Sequence, residues 1–478
     1  PGGAAWGPRR GGGAGEMIDP ASYPHYVCWA LSVAGLGVAL VRVQAMAPQI
    51  ITTKEFQSFV RRFYRPHAVL ILCELLQCAY LYSTTLAMGL SVGEIANLFV
   101  TAQVATTALN LFMEGFDLIS RKSKCMLCGL LYAAGASTLF AAHGHAPAVG
   151  AAEVSSERHP HLELLLVGRV LTGCATSLLH SSFEAYLINE HTMNGFPDEW
   201  LSHTFSVIGF SMAGAAVGCG VLGQLALHAV GPAGPSMLTA VLGVYAALLI
   251  NSTWSRDTFT PRFTMSSFLH QLGGALSKAT GSGAMISVLL IQASFEAAAI
   301  AMTFYWAYWL ALGSGPGTVP FGLVFSSLTA AATSGSFVQQ VLASRPVEQT
   351  LSAVLMAAAA AFLAGATVSG SFMALLCCMF VQVCVGMYWP CIGFVRGKVV
   401  PTEYRSACLV VTRSAAVGAA AAILLTSVHA PLVVLLSCAA LCGAAAYFHV
   451  RLEYASAPPH SLPDSADPTP RGAEPSAA

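Results

Sequence analysis

Apolar residues in this chain come in long unbroken runs, not in the one-sided stripes of surface helices or the alternation of half-buried strands. Thirteen runs come close to or exceed the ~20 residues that a helix needs to cross a bilayer. They are 26–46, 67–89, 92–113, 125–142, 162–188, 203–228, 235–251, 284–311, 319–342, 350–368, 371–395, 406–427 and 431–449. The first, with Arg42 near its end, is numbered span 0, and the others spans 1 to 12. The pattern predicts an all-α membrane protein. The longest polar interruption, 252–283, splits the last twelve spans into six and six, as in transporters built from two halves. The expected layout is a disordered segment 1–25, an extra membrane helix 26–46, a six-helix bundle 67–251, a cytoplasmic central loop 252–283, a second six-helix bundle 284–449 and a disordered tail 450–478. Residues 1–16 are low in complexity and are set aside; Met17 is a candidate initiator. Spans 1, 4, 7 and 10 are expected to line a central cavity.

Charge orients the spans. With 47–66 placed in the cytoplasm, cytoplasmic segments hold 17 of the 22 Lys and Arg residues. Outer segments hold three, Arg9, Arg10 and Arg158, and two more lie within spans. That is the asymmetry expected of a membrane protein, and it puts the N-terminus outside. The loop 189–202 contains no Lys or Arg and does not contribute. Only 9% of the 478 residues are charged and 55% are hydrophobic, with 22 bases balanced by 22 acids. Mean hydropathy is +0.66. So few charges cannot coat a soluble surface of this size, and zero net charge excludes a generic nucleic-acid binder. The 14 cysteines lie mostly within or beside apolar runs, where a thiol acts as a small hydrophobe.

Charges inside a bilayer cost at least about 2.5–3.5 kcal/mol each, so those retained usually serve function. Glu74 lies in span 1, Arg169 and Glu184 in span 4, Glu296 in span 7 and Arg413 in span 11. Glu74, Gln77 and Tyr80 fall on one helical face, and Gln292 and Glu296 form a similar pair. Such stripes act either as interhelical hydrogen-bond glue or as part of a substrate pathway. Arg169, within Gly168-Arg169-Val170-Leu171-Thr172-Gly173, and Arg413 are either paired structural arginines or anion ligands, since a guanidinium fork matches two oxygens at once. Glu184, nearer the cytoplasmic end of its span, suits a gating salt bridge as well as substrate contact. Tyr388-Trp389-Pro390 marks a broken or kinked helix in span 10. His143, His145, His159 and His161 crowd one outer loop, and Cys125 and Cys128 have CxxC spacing. The CxxC opens a membrane span and the histidine pairs stand far apart in their loop, so neither set is read as a metal site. No P-loop, dinucleotide fingerprint or HExxH is present, so no cofactor is expected.

Several strings point to a family. The two sets of six spans, with Asp117-Leu118-Ile119-Ser120-Arg121-Lys122 between spans 2 and 3 and the arginine motif Gly168–Gly173 in span 4, resemble the major facilitator superfamily. Ser120 and Met113 stand where that family places glycines. Phe183-Glu184-Ala185-Tyr186, Asn189-Glu190-His191, Phe196-Pro197-Asp198-Glu199-Trp200, Ile291-Gln292-Ala293 with Phe295-Glu296, Gly386-Met387-Tyr388 with Pro390, and Arg396–Pro401 resemble the molybdate-anion transporter family. The resemblance implies secondary-active uptake of molybdate, with Asp117, Arg121 and Lys122 as a cytoplasmic gate motif. A tetrahedral dianion could be held by Arg169 and Arg413 with donors from Gln77, Tyr80, Gln292 and Tyr388. Glu74, Glu184 and Glu296 would then serve coupling or gating, with protons as the coupling ion. The protein is expected in the plasma membrane as a monomer, its partners being the oxyanion, protons and the lipid bilayer, with no nucleic acid. The competing readings are a non-transporting sensor or scaffold on the same fold and a membrane-embedded enzyme. The enzyme would need a clustered nucleophile and base, and none is visible.

Overall fold

The computed structural model describes residues 23–46, 53–117, 119–144, 161–254, 262–263, 265–314, 319–342, 345–368 and 370–456. The segments 1–22, 145–160, with His145 and His159, and 457–478 lie outside the described residues.

Helix α1 (Tyr23–Met46) precedes two groups of six. The first is α2 (Lys54–Ala87), α3 (Val92–Gly115), α4 (Arg121–Gly144), α5 (Leu162–Met193), α6 (Asp198–Val230) and α7 (Gly234–Thr253). The second is α9 (Gly283–Ser314), α10 (Phe321–Val341), α11 (Val347–Thr367), α12 (Ser371–Val399), α13 (Arg405–Ser427) and α14 (Pro431–Ser456). Among the described residues, twelve helices, those of the two groups, are long and apolar enough to span a membrane. Large apolar side chains such as Leu248, Val241, Leu363 and Phe394 stand exposed on their outer faces. Hydrocarbon is the solvent that suits such a surface, and the chain is a multi-pass membrane protein.

The groups repeat one plan. In the first, the close pairs are α2 with α6, α2 with α7, α3 with α5, α4 with α5 and α4 with α7. Adding seven to each number gives the pairs α9–α13, α9–α14, α10–α12, α11–α12 and α11–α14, which pack closely in the second. Small residues let these backbones meet. A Cβ on Gly168 would strike Thr138 of α4, and one on Gly386 would strike the Ala332 carbonyl of α10.

Three features add detail to the expected layout. The segment 47–66 is helical from Lys54 onward, because Phe56, Phe59, Val60 and Phe63 form a buried stripe among its charges and Thr53 caps the Phe56 amide at 3.3 Å. The central segment 252–283 contains α8 (Met265–Gly281) and a two-residue strand β2 (Arg262–Phe263), paired antiparallel with β1 (Phe116–Asp117). Pro390 does not break α12, which runs from Ser371 to Val399. Helix α1 packs on α10: Trp29 Nε1–H donates to Ser326 Oγ at 3.3 Å, and Leu36 is buried with Ala213 and Ala330. It therefore lies outside both bundles, over the seam between α6 and α10.

Side-chain contacts between the halves cluster at the end remote from the basic loops. Tyr82 meets Phe321 at 5.7 Å and Tyr308 at 6.4 Å between ring centres, and Phe99 meets Phe304 at 5.4 Å. The Tyr80 ring fills the space above two glycines, Gly223 of α6 and Gly322 of α10.

Candidate functional site

Beneath this aromatic seal lies a cavity of about 60 Å³. Helix α2 supplies Glu74, Gln77 and Tyr82, α3 Gln103 and Thr106, α4 Tyr132, α5 Arg169, Thr172 and Thr176, and α9 Thr303 and Trp306. The volume suits a few waters or one small anion.

The spacing of α5 builds one wall. Arg169, Thr172, Thr176, His180 and Glu184 recur every three or four residues and so follow one face. Arg169 Nε–H donates to the Leu98 carbonyl at 3.3 Å, and its Nη1–H to Gln77 Oε1 at 3.2 Å. Both acceptors are neutral. Among the described residues no carboxylate lies within ion-pair distance of Arg169. The Gln77 amide nitrogen is buried and has no hydrogen-bond partner among the described residues. A full positive charge and a spare donor thus share one cavity wall. Tyr132 and Thr176 bond to each other at 2.9 Å, and Thr106 Oγ1–H donates to the Gly173 carbonyl at 2.9 Å.

One turn along α2 from Gln77, Glu74 Oε1 and His180 Nε2 are 3.0 Å apart, with the His180 side chain 53% exposed. The carboxylate–imidazole pair faces the space between the halves at the basic end. Across that space Arg413 Nη2–H donates to Gln103 Oε1 at 3.3 Å, joining α13 to α3. Its Nη1 lies 3.8 Å from Glu296 Oε2. Gln292 Nε2–H donates to Glu296 Oε1 at 2.8 Å. Arg413 is thus opposed by a carboxylate, unlike Arg169.

The expected site residues therefore divide. Arg169, Gln77 and Glu74 meet in the cavity, and Arg413 reaches its edge through Gln103. Tyr80 is not in the lining, since its ring is wedged between helices. Gln292 and Tyr388 also lie outside it. Gln292 is spent on Glu296, and Tyr388 is fully buried, stacked on Phe295 at 4.1 Å. Span 10, here α12, contributes nothing to the lining, whereas α3 and α4 do. Glu184 is exposed and forms no ion pair among the described residues. The Asp117 side chain lies outside the described residues. Arg121 Nη1–H donates to Asn189 Oδ1 at 3.3 Å, and Lys122 Nζ–H to the carbonyls of Asn251 and Trp254 at 3.1 and 2.6 Å. These bonds tie α4 to α5 and to the end of α7 within the first half.

Sequence reasoning missed Gln103, Thr106, Tyr132, Thr172 and Thr176. The three on α5 and α3 that carry hydroxyls are ordinary in membrane helices. Thr172 and Thr176, however, keep helical register with Arg169, a signal that a search outward from the arginine would find.

A family profile described as sugar transporters with 12 transmembrane segments matches residues 26–381. The molybdate-anion transporter of Xenopus tropicalis is 29% identical over 361 residues, covering 73% of this chain and 74% of that protein. The molybdate-anion transporter of Danio rerio is 26% identical over 417 residues, covering 80% and 81%. Among solved structures, a D-xylose–proton symporter superposes with a TM-score of 0.62 at 11% identity, over 82% of this chain and 97% of that one. A bacterial homologue of the lysosomal transporter Spinster, inward-facing and unoccupied, gives 0.59 at 13% identity, over 84% and 98%.

Proposed function

Since the chain belongs to the twelve-span sugar-transporter family of the major facilitator superfamily, we propose that it carries a small tetrahedral oxyanion, molybdate or an ion of its shape, across the plasma membrane. The observation that carries this reading is the Arg169 guanidinium, which faces the cavity with neutral hydrogen-bond partners and no carboxylate in ion-pair range. A site for a neutral sugar has no use for an unopposed charge in hydrocarbon, whose cost is large. An oxyanion would pair with it and accept from its fork and from the Gln77 amide. The names of the Xenopus and Danio relatives support the same substrate class.

Movement is by alternating access. The seal of Tyr82, Phe99, Phe304 and Tyr308 at one end and the Glu74–His180 pair, with its exposed imidazole, towards the other support a state open at the basic end. The basic end is cytoplasmic by its charge. Glu74 and His180 are the groups placed to exchange protons as the anion binds.

Competition for radiolabelled molybdate uptake by tungstate, sulfate and xylose tests the substrate class. Tungstate is expected to compete at concentrations close to those of molybdate, sulfate less strongly and xylose not at all. Uptake of xylose, with no uptake of any oxyanion, would overturn the reading.

A further inference from the structure

Helix α2 projects beyond the bilayer. Its apolar span begins near residue 67, yet the helix starts at Lys54. Lys54, Gln57, Ser58, Arg61, Arg62 and Arg65 line one concavity along this extension, and all six are exposed. Their spacing keeps them on one side of the helix. Among the described residues no ion pair joins any of the four bases to a carboxylate. The opposite side is locked. Phe56 packs at 4.9 Å on Trp200 and 5.2 Å on Phe196, Phe63 stacks on Trp254 at 5.7 Å, and the Trp254 indole donates to the Arg62 carbonyl at 3.0 Å. The basic side therefore cannot rotate inward.

We propose that this stripe is a binding site for the phosphate-bearing headgroups of anionic phospholipids in the cytoplasmic leaflet. Arg65 abuts Pro66 at the start of the apolar span, level with the membrane interface. From there the bases climb to Lys54, eleven residues or about 16 Å along the axis, through and beyond the headgroup layer. Four unopposed bases rising from that level complement the anionic charge of that leaflet. The concavity gives them a common target, which the mere counting of bases in topology does not require. The stripe packs against α5, α6 and α7 through its aromatic side, so lipid bound there would brace the first half at the end where the halves part. The inference rests on the cytoplasmic placement of the basic end. Its test reads lipid binding and not transport, so the two can fail separately.

The test uses the purified full-length chain in neutral micelles doped with fluorescent phosphatidylserine, with phosphatidylcholine as reference. Wild type is expected to retain phosphatidylserine preferentially, with a preference that falls as salt rises. Replacing Lys54, Arg61, Arg62 or Arg65 by Gln should weaken it about fivefold per base removed. Arg61→Lys with Arg62→Lys should keep it, because a leaflet's field needs charge and not a fork. An unaltered thermal transition in phosphatidylcholine micelles shows that the variants fold. Equal binding by the quadruple Gln variant and wild type would overturn the proposal. So would full displacement by inorganic phosphate at the lipid's own concentration, which marks a site for free anions, or the absence of any preference in wild type, which marks a topology signal only.

Discussion

At the scale of single residues, the two intramembrane arginines differ in their company. Arg413 has Glu296 at 3.8 Å, while Arg169, among the described residues, bonds to a carbonyl and an amide oxygen. Arg169→Lys keeps the charge and loses the planar fork, so uptake affinity should fall roughly tenfold, about the worth of one charge-assisted hydrogen bond. Arg169→Gln removes the charge and should reduce uptake to background. Since no carboxylate is left unpaired by either change, both variants should reach the membrane in wild-type amounts, as surface biotinylation would show. Loss of the folded protein would mean that the arginine is structural. The sequence pointed to Arg169 because a charge stands out in an apolar run. It could not show that Tyr80, on the same stripe as Glu74 and Gln77, is wedged between helices and lies outside the cavity lining. That depends on Gly223 and Gly322, which lie 143 and 242 residues further along the chain and belong to other helices.

At the scale of elements, the same wedge gives a test of gating. Adding a methyl group at Gly322 drives it into the Tyr80 ring, so Gly322→Ala should prise α10 from α2 and α6 at the far end. A cysteine placed in the seal at Phe321 should then react faster with a membrane-impermeant thiol reagent. Tyr80→Ala in the same chain should reverse the effect, and additive behaviour of the two changes would deny their contact. Trp254, just after α7, does a different task. It stacks on Tyr186 at 4.0 Å and on Phe63, and its carbonyl accepts from Lys122. Trp254→Ala should cost about 3–5 kcal/mol, the usual range for a buried aromatic, measured as a lower thermal transition with the cavity unaltered. The helical start of α2 was hidden in the sequence for a related reason. Phe56, Phe59 and Phe63 mark a helical stripe, but hydropathy starts the span at 67, and the stripe gains meaning only from its aromatic partners near α5, α6 and α7.

At the scale of the whole molecule, the spans were legible because a bilayer imposes length and apolarity on each one separately. The packing of one half on the other was not, since it arises between helices far apart in sequence. The orientation follows from charge and can be checked directly. An N-terminal tag should be labelled on intact cells and a C-terminal tag only after permeabilisation; the reverse pattern would invert both ends of the cavity.

The unopposed guanidinium has an electrical meaning. An empty carrier that reorients with Arg169 in its cavity moves one positive charge through part of the membrane field. Carrying a divalent oxyanion, the same cavity moves one negative charge. A full cycle without a companion ion therefore imports two negative charges. Against 100 mV, negative inside, that costs about 4.6 kcal/mol, equivalent to an outward bias of roughly two-thousandfold in concentration. A cycle that escapes this penalty takes two monovalent cations in with each divalent anion. In vesicles with a potassium-clamped potential, initial uptake should be flat with voltage if two cations accompany the anion and should vary with voltage if any other number does.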